Sequence, residues 1–351
     1  MTARHMAVIA ALACAACSET AVTPDLAPRE AGADQISRTS AIDILLVVDT
    51  SPSMAEEQLM WSWSFPRWDS CLTLPGGEPL DFRLGFITAD LGAFGGGPPT
   101  CTATGDGAKL QTGPQVTGCP SSTPPWISPE GAKAIPGCSA SCVNQAIGCV
   151  APKSCHGCLY SQPLEAARRA LDPVKNLNPG FVRPDAHLAI VFITDEDDCS
   201  AARPELLSTP DNQELGPADT FRCFEHGVQC AGTPARPTSC KPAGDWLHPV
   251  ADYEAFFRKL KPQHHVIIGA VAAPTEPVEI GDAGGQAALR PSCQSGAGRG
   301  TPPIRLRALV DRFGPLGFAG SICTAGKGDD MIYRALYGVR TVWDSVIAPQ
   351  G

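Results

Sequence analysis

The sequence predicts a doubly wound α/β fold, a mostly parallel sheet with helices on both faces, interrupted by disulfide-rich loop insertions. Three observations carry this. Continuous apolar runs of strand length occur at Ala41–Val48, His187–Ile193 and His265–Val271, and such runs suit strands buried on both faces of a parallel sheet. Segments with apolar residues at helical spacing lie between and after them. Strands that alternate with helices build a parallel sheet through crossover connections.

Taken in order, the chain opens with Arg4 and His5, the apolar stretch Met6–Ala13, and then Cys14-Ala15-Ala16-Cys17-Ser18. The stretch is too short to span a bilayer and reads as an export signal over residues 1–17. Small residues before a cysteine resemble a bacterial lipoprotein signal, with Cys17 as the lipid-attachment residue and Cys14 as the alternative. Residues 18–40 are small and polar and read as a flexible linker. The domain is expected over 41–343, with a tail at 344–351.

The first strand, Ala41–Val48, leads into a helix expected from Met54 to Ser64. Glu56, Glu57 and Gln58 fall in its opening turn, where acids favour the helix dipole. Trp61, Trp63 and Trp68 crowd its far end and read as core. Phe82–Thr88 is the second strand. From 92 to 159 periodicity disappears, and seven cysteines from Cys101 to Cys158 stand amid Gly, Pro, Ser and Thr. A loop of that length is either functional or stapled. Pro163–Leu171 is an amphipathic helix, and His187–Ile193 is a strand running into Thr194-Asp195. A second cysteine-bearing loop covers about 199–245. Tyr253–Leu260 (helix), His265–Val271 (strand), Arg305–Phe313 (helix), Gly317–Cys323 (edge strand) and Asp330–Trp343 (helix) follow. Ile332, Leu336, Val339 and Val342 set the apolar stripe of the last helix.

Composition narrows the function. A net charge of −9 disfavours a nucleic-acid partner. Beyond the export signal no segment approaches the ~20 apolar residues of a membrane helix, so membrane association is expected by a lipid anchor only. Sixteen cysteines are far more than a reducing cytosol favours. With Cys14 and Cys17 given to the signal and anchor, fourteen of the sixteen remain, an even number that allows seven disulfides. The chain is therefore expected in the cell envelope or outside it.

The chemistry concentrates at two strand ends. Asp49-Thr50-Ser51-Pro52-Ser53 follows the first strand, placing a carboxylate and two hydroxyls at its carboxyl end. Asp195 follows a later strand and opens the run Asp195-Glu196-Asp197-Asp198. Adjacent parallel strands end on one edge, so Asp49, Ser51, Ser53 and Asp195 can converge on one hard divalent cation. Glu196, Asp197 and Asp198 read as a solvated turn.

This pattern resembles the von Willebrand factor A domain, with its metal-ion-dependent adhesion site, and in particular bacterial secreted and lipoprotein members of that family. Asp49, Ser51 and Ser53 match the first element of the family motif, and Asp195 matches the third. The second element is a Thr before a helix, and Ser161 stands in the corresponding stretch Tyr160–Ala166. The resemblance implies Mg²⁺, with Mn²⁺ or Ca²⁺ as alternatives, and a partner whose acidic group completes the ion's shell.

Enzymatic templates fail. An aspartyl phosphotransferase needs a second carboxylate two residues after the first, where Ser51 stands. No Gly-x-Ser-x-Gly elbow, phosphate-binding Gly-x-x-x-x-Gly-Lys loop or His-Glu-x-x-His helix is present. Cys155-His156-Gly157-Cys158 has zinc-like spacing, but in an oxidising compartment disulfides are favoured. Two readings remain. One is an extracytoplasmic metal-dependent binding module that recognises an acidic protein or surface ligand. The other is a structural envelope lipoprotein whose metal site does not function.

Overall fold

The computed structural model describes residues 41–58, 67–96, 99, 101–113, 119, 123–135, 138, 141–262, 265–324 and 330–347. The export signal with Cys14 and Cys17, the linker, Trp61, Trp63 and His264 lie outside the described residues. Five strands form the central sheet: β1 (Ala41–Val48), β2 (Asp81–Thr88), β3 (His187–Ile193), β4 (Val266–Ala272) and β5 (Gly317–Ser321), in the order β5-β4-β3-β1-β2. Every pairing in it is parallel, so the sheet is wholly rather than mostly parallel.

The apolar runs explain the layering. Every residue of β1, β3 and β4 is buried, so both faces of the middle of the sheet are covered. Helix α1 (Pro163–Leu171) contacts β1 and β2 and is followed by α2 (Val250–Lys259) and α3 (Ile304–Arg312), which touch in series. Helix α4 (Met331–Val342) contacts β3, β4 and β5. Pro163 opens α1, where its missing N–H costs nothing. Asp330 caps α4 by accepting the Tyr333 N–H at 2.9 Å. Its carboxylate also accepts the indole N–H of Trp68, a fully packed side chain, so that tryptophan is core as expected. The one charge inside β1, Asp43, accepts two bonds from Arg183, from the backbone N–H at 2.6 Å and from Nε at 2.8 Å.

The insertions hold more structure than their sequence suggests. The first carries short helices at Pro129–Lys133 and Cys142–Val150. The second contains helices Glu205–Ser208 and Phe221–Gly227 and an antiparallel hairpin of Val228–Thr233 with Arg236–Pro242. Two further hairpins, Ile280–Leu289 and Cys293–Gly300, stand between β4 and α3, where no element was expected.

Six disulfides rather than seven join the described cysteines: 101–158, 119–149, 138–142, 199–223, 230–240 and 293–323. Cys71 and Cys155 are free thiols. Cys71 is buried in the core, where desolvation pushes its thiol up to about 11. A disulfide complement of this density belongs to an oxidising, extracytoplasmic compartment. No helix among the described residues is long and apolar enough to cross a membrane.

At the amino edge of the sheet, His187 opens β3 almost fully buried, stacked on His265 at 4.1 Å and edge-on to Trp343 at 5.1 Å. Its Nδ1 has no hydrogen-bond partner. Burial, aided by the neighbouring His265 and Lys261, depresses its imidazole to about 4. The unfolded chain takes up this proton near the ordinary value of 6.5, so the folded state loses stability as pH falls from 6.5 toward 4. Urea unfolding at pH 7 and pH 4.5 should show His187→Gln losing less stability on acidification than the parent, by on the order of 2 kcal/mol. An equal loss in both proteins would disprove a buried neutral His187.

Candidate metal centre

β1 and β3 are parallel neighbours, and the winding reverses at this pair. The chain leaves β1 for β2 on one side and later resumes with β3 on the other. Open α/β sheets bind ligands in the crevice outside the carboxyl ends of the strands at such a switch point. Val48 and Ile193 are partners at that edge, and the Asp49 N–H continues the ladder by donating to the Ile193 carbonyl at 2.9 Å. The register therefore places the loops after both strands side by side.

Four of the expected site residues form one chain of oxygen contacts there. Asp49 Oδ1 accepts the Ser51 N–H at 2.8 Å, an Asx turn that folds the loop back over its own strand. The Ser51 and Ser53 hydroxyls lie 3.0 Å apart, and Ser53 donates to Asp195 Oδ1 at 3.1 Å. Asp49, Ser51 and Asp195 are each 3% exposed or less. A further member, Thr194, donates its hydroxyl to Asp49 Oδ2 at 2.6 Å and so links the two strand ends directly.

Ser161, the expected substitute for the family's Thr, sits just before α1 between the segments that follow β2 and β3. Its carbonyl accepts the Cys199 N–H at 2.8 Å, and the next residue, Gln162, donates its N–H to the Ala89 carbonyl at 2.9 Å. Ser161 is buried, yet its hydroxyl has no hydrogen-bond partner. An orphaned buried hydroxyl costs about 1–3 kcal/mol and calls for a partner such as an ion or water. Thr88, after the second strand, is committed elsewhere, to Asp106 at 2.6 Å.

The electrostatics point the same way. Burial, then the charge of Asp49, then that of Glu57, hold the Asp195 carboxyl well above the usual range. Burial, followed by the charges of Asp195 and Asp49, raises Glu196 as well. Glu57 is wholly buried: one oxygen accepts the Arg299 N–H at 2.8 Å and the other has no partner. Among the described residues no Lys or Arg forms an ion pair with Asp49, Glu57, Asp195 or Glu196. Two carboxylates and several hydroxyls, with further acids behind them that only the charge of Arg299 offsets, without an ion pair, fit a hard oxygen-seeking cation. Among the described residues no group of three or more His, Cys, Asp or Glu side chains is arranged to hold a metal ion; here the donor set depends on hydroxyls.

Glu57 had been assigned only to a helix dipole, and nothing local in its sequence marks it. Thr194 had a signal, its position immediately before Asp195. The rest of the acidic run is not the solvated turn expected. Asp197 caps α3, with Oδ1 accepting the Arg305 and Leu306 N–H groups at 3.0 and 3.1 Å. Asp198 is fully buried: Oδ1 caps α1 through the Leu164 N–H at 3.1 Å, and Oδ2 pairs with the buried Arg305 guanidinium at 3.1 Å.

The Cys-His-Gly-Cys stretch is not a zinc knuckle, because Cys158 is bonded to Cys101. It lies instead over the loop that follows β1: the Gly157 N–H donates to the Thr50 carbonyl at 2.9 Å. A Cβ on Gly157 would stand 2.5 Å from Thr50 Oγ1, so the close approach requires glycine.

No protein-family model matches the chain, and no curated protein matches it. Among solved structures, it is similar to the conserved hypothetical protein BatB of Bacteroides thetaiotaomicron, with TM-score 0.35 and 9% identity over 87% of this chain and 100% of that one. It is also similar to an aerotolerance-related membrane protein of Bacteroides fragilis NCTC 9343, with TM-score 0.29 and 11% identity over 86% and 98%. The site is accordingly read from its own geometry.

Because Asp198 joins two helix starts to the end of β3, Asp198→Ala should destabilise the fold by about 3–5 kcal/mol, leaving the Arg305 charge buried and unpaired. Adding Arg305→Met should recover part of that loss. Chemical denaturation of the single and double variants measures both, and additive losses would contradict the pairing.

Proposed function

We propose that this is an extracytoplasmic binding module of the von Willebrand A type, which recognises an acidic group of a partner through a divalent cation. The observation that carries the reading is the chain of polar contacts formed by the buried Asp49, Ser51 and Asp195 and the half-buried Ser53 at the switch point of the sheet, with no basic side chain among the described residues ion-paired to it. These four residues would hold Mg²⁺, or Mn²⁺ or Ca²⁺ in its place, and the orphaned hydroxyl of Ser161 supports a fifth donor. When bound, the ion supplies a coordination position for an acidic oxygen of the partner. The partner is a protein or another acidic surface ligand, not a nucleic acid, and the activity is binding rather than catalysis. Export and lipid attachment at Cys17, or at Cys14, would hold the module on the envelope.

A second reading is a structural envelope lipoprotein whose site works without an ion. It is favoured by one observation: the Ser53–Asp195 and Thr194–Asp49 hydrogen bonds already occupy part of each carboxylate.

A cation that binds only the folded state should raise the melting temperature, by an amount equivalent to about 2.7 kcal/mol at a hundredfold excess over its Kd. Millimolar Mg²⁺ should therefore stabilise the protein, and Asp49→Ala or Ser51→Ala should abolish the response; no response to Mg²⁺ or Mn²⁺ in the parent would sink the binding reading. Ser161→Ala separates the readings further. Removal of the orphan hydroxyl should stabilise the ion-free protein by about 1 kcal/mol while weakening Mg²⁺ binding, as read by calorimetric titration. Unchanged Mg²⁺ affinity would remove Ser161 from the donor set.

A further inference from the structure

Beside the metal centre lies a cavity of about 250 Å³ that the ion's residues do not use. Its walls include Tyr160, Glu196, Asp219, Phe221, Phe224 and Thr301. It adjoins the centre directly, since Glu196 follows Asp195 in the chain and the Thr301 N–H donates to the Asp195 carbonyl at 2.8 Å. The volume is below the roughly 300–1,000 Å³ of small-molecule pockets, so it suits one side chain rather than a whole organic ligand.

The chemistry of the walls selects the charge of that side chain. No hydrogen bond or ion pair reaches the Glu196 carboxylate among the described residues. Asp219 accepts the Phe221 N–H at 3.0 Å through one oxygen. Tyr160 is fully buried, and its hydroxyl has no partner. Burial pushes that phenol up to about 12, so it stays neutral. Of the charges acting on it, that of Arg222 is the largest, followed by those of Asp219 and Asp211. Asp197 also lines the cavity, but its oxygens are taken by backbone N–H groups of α3. The nearby buried Arg222 is spent on the carbonyls of Leu206, Thr209, Pro210, Gly216 and Pro217 and makes no ion pair with Asp219, though its charge acts on the Asp219 carboxyl. Phe221 and Phe224, with ring centroids 5.8 Å apart, supply an apolar lining and aromatic faces, which attract cations.

We infer that this cavity takes a cationic side chain with an aliphatic stem, an arginine or lysine of the partner, next to the acidic group that the metal centre holds. The inference rests on the metal-dependent reading and narrows it: the partner presents a paired acid and base. Glu196 and Asp219 face the cation, and the phenylalanine rings cover its stem.

The test titrates the full chain in Mg²⁺ by calorimetry with short peptides that carry one Asp and one Arg separated by zero, one or two glycines. Matched peptides carry citrulline, an uncharged isostere, in place of Arg. At least one Arg peptide should bind ten or more times tighter than its citrulline match. Asp219→Asn, which removes none of the metal donors, should erase that preference while Mg²⁺ binding is retained. Equal binding of Arg and citrulline peptides at every spacing, with binding still abolished by EDTA, would overturn the cavity assignment and leave the metal reading standing. If no peptide responds to Mg²⁺, the metal reading fails, and millimolar n-butylguanidinium against n-butylurea decides the cavity by thermal shift. Stabilisation by the guanidinium alone, lost in Asp219→Asn, supports it, and equal shifts or none overturn it.

Discussion

The parallel pairing of β1 with β3 is the constraint on which the rest depends. Their register makes Val48 and Ile193 partners, and the bond from the Asp49 N–H to the Ile193 carbonyl carries the ladder one residue beyond the strands. A shift of one residue would turn side chains to the opposite face and separate Asp49 from Thr194 and Asp195. Both strands are buried on both faces, and that fixes the register. The apolar core thus sets the relative position of carboxylates that, without a cation, repel one another.

The four acids after β3 divide their labour by direction. Asp195 faces the crevice after β1, Glu196 faces the neighbouring cavity, and Asp197 and Asp198 turn inward to the N-termini of α3 and α1. Helix N-termini carry partial positive charge, so the inward pair is compensated by backbone N–H groups and by Arg305. The outward pair has no such compensation. One short segment therefore braces two helices and also directs two carboxyls without ion-pair partners among the described residues to the crevice and the cavity, and the bracing holds them in place.

What the sequence revealed followed from local pattern. The strand runs, the amphipathic helices and the Asp-x-Ser-x-Ser loop are readable because their signals lie within a few residues of one another. Glu57 stands in a helical turn as its sequence suggests, but its contact with a backbone group 242 residues away, on Arg299, leaves no local signal. Asp197 and Asp198 depart from the solvated turn expected of a charge run because packing against α3 and α1 engages both carboxylates and buries Asp198. The hairpin Cys293–Gly300 is three residues per strand and rich in glycine, with too little periodicity to register. It is tied by a disulfide to Cys323, a partner that cysteine spacing alone does not identify.

The position of β1 has a mechanical consequence. The chain enters the domain at Ala41, on a strand flanked on both sides by parallel neighbours, paired over eight residues with β2 and seven with β3. Tension arriving through the preceding residues pulls along β1, and its two ladders take the load in shear, many bonds at once, rather than opening one by one from an edge. The loop after the far end of that strand begins with Asp49. A load applied at that loop would run along β1, a strand whose every residue is buried, and would leave the disulfide-bonded insertions outside its path.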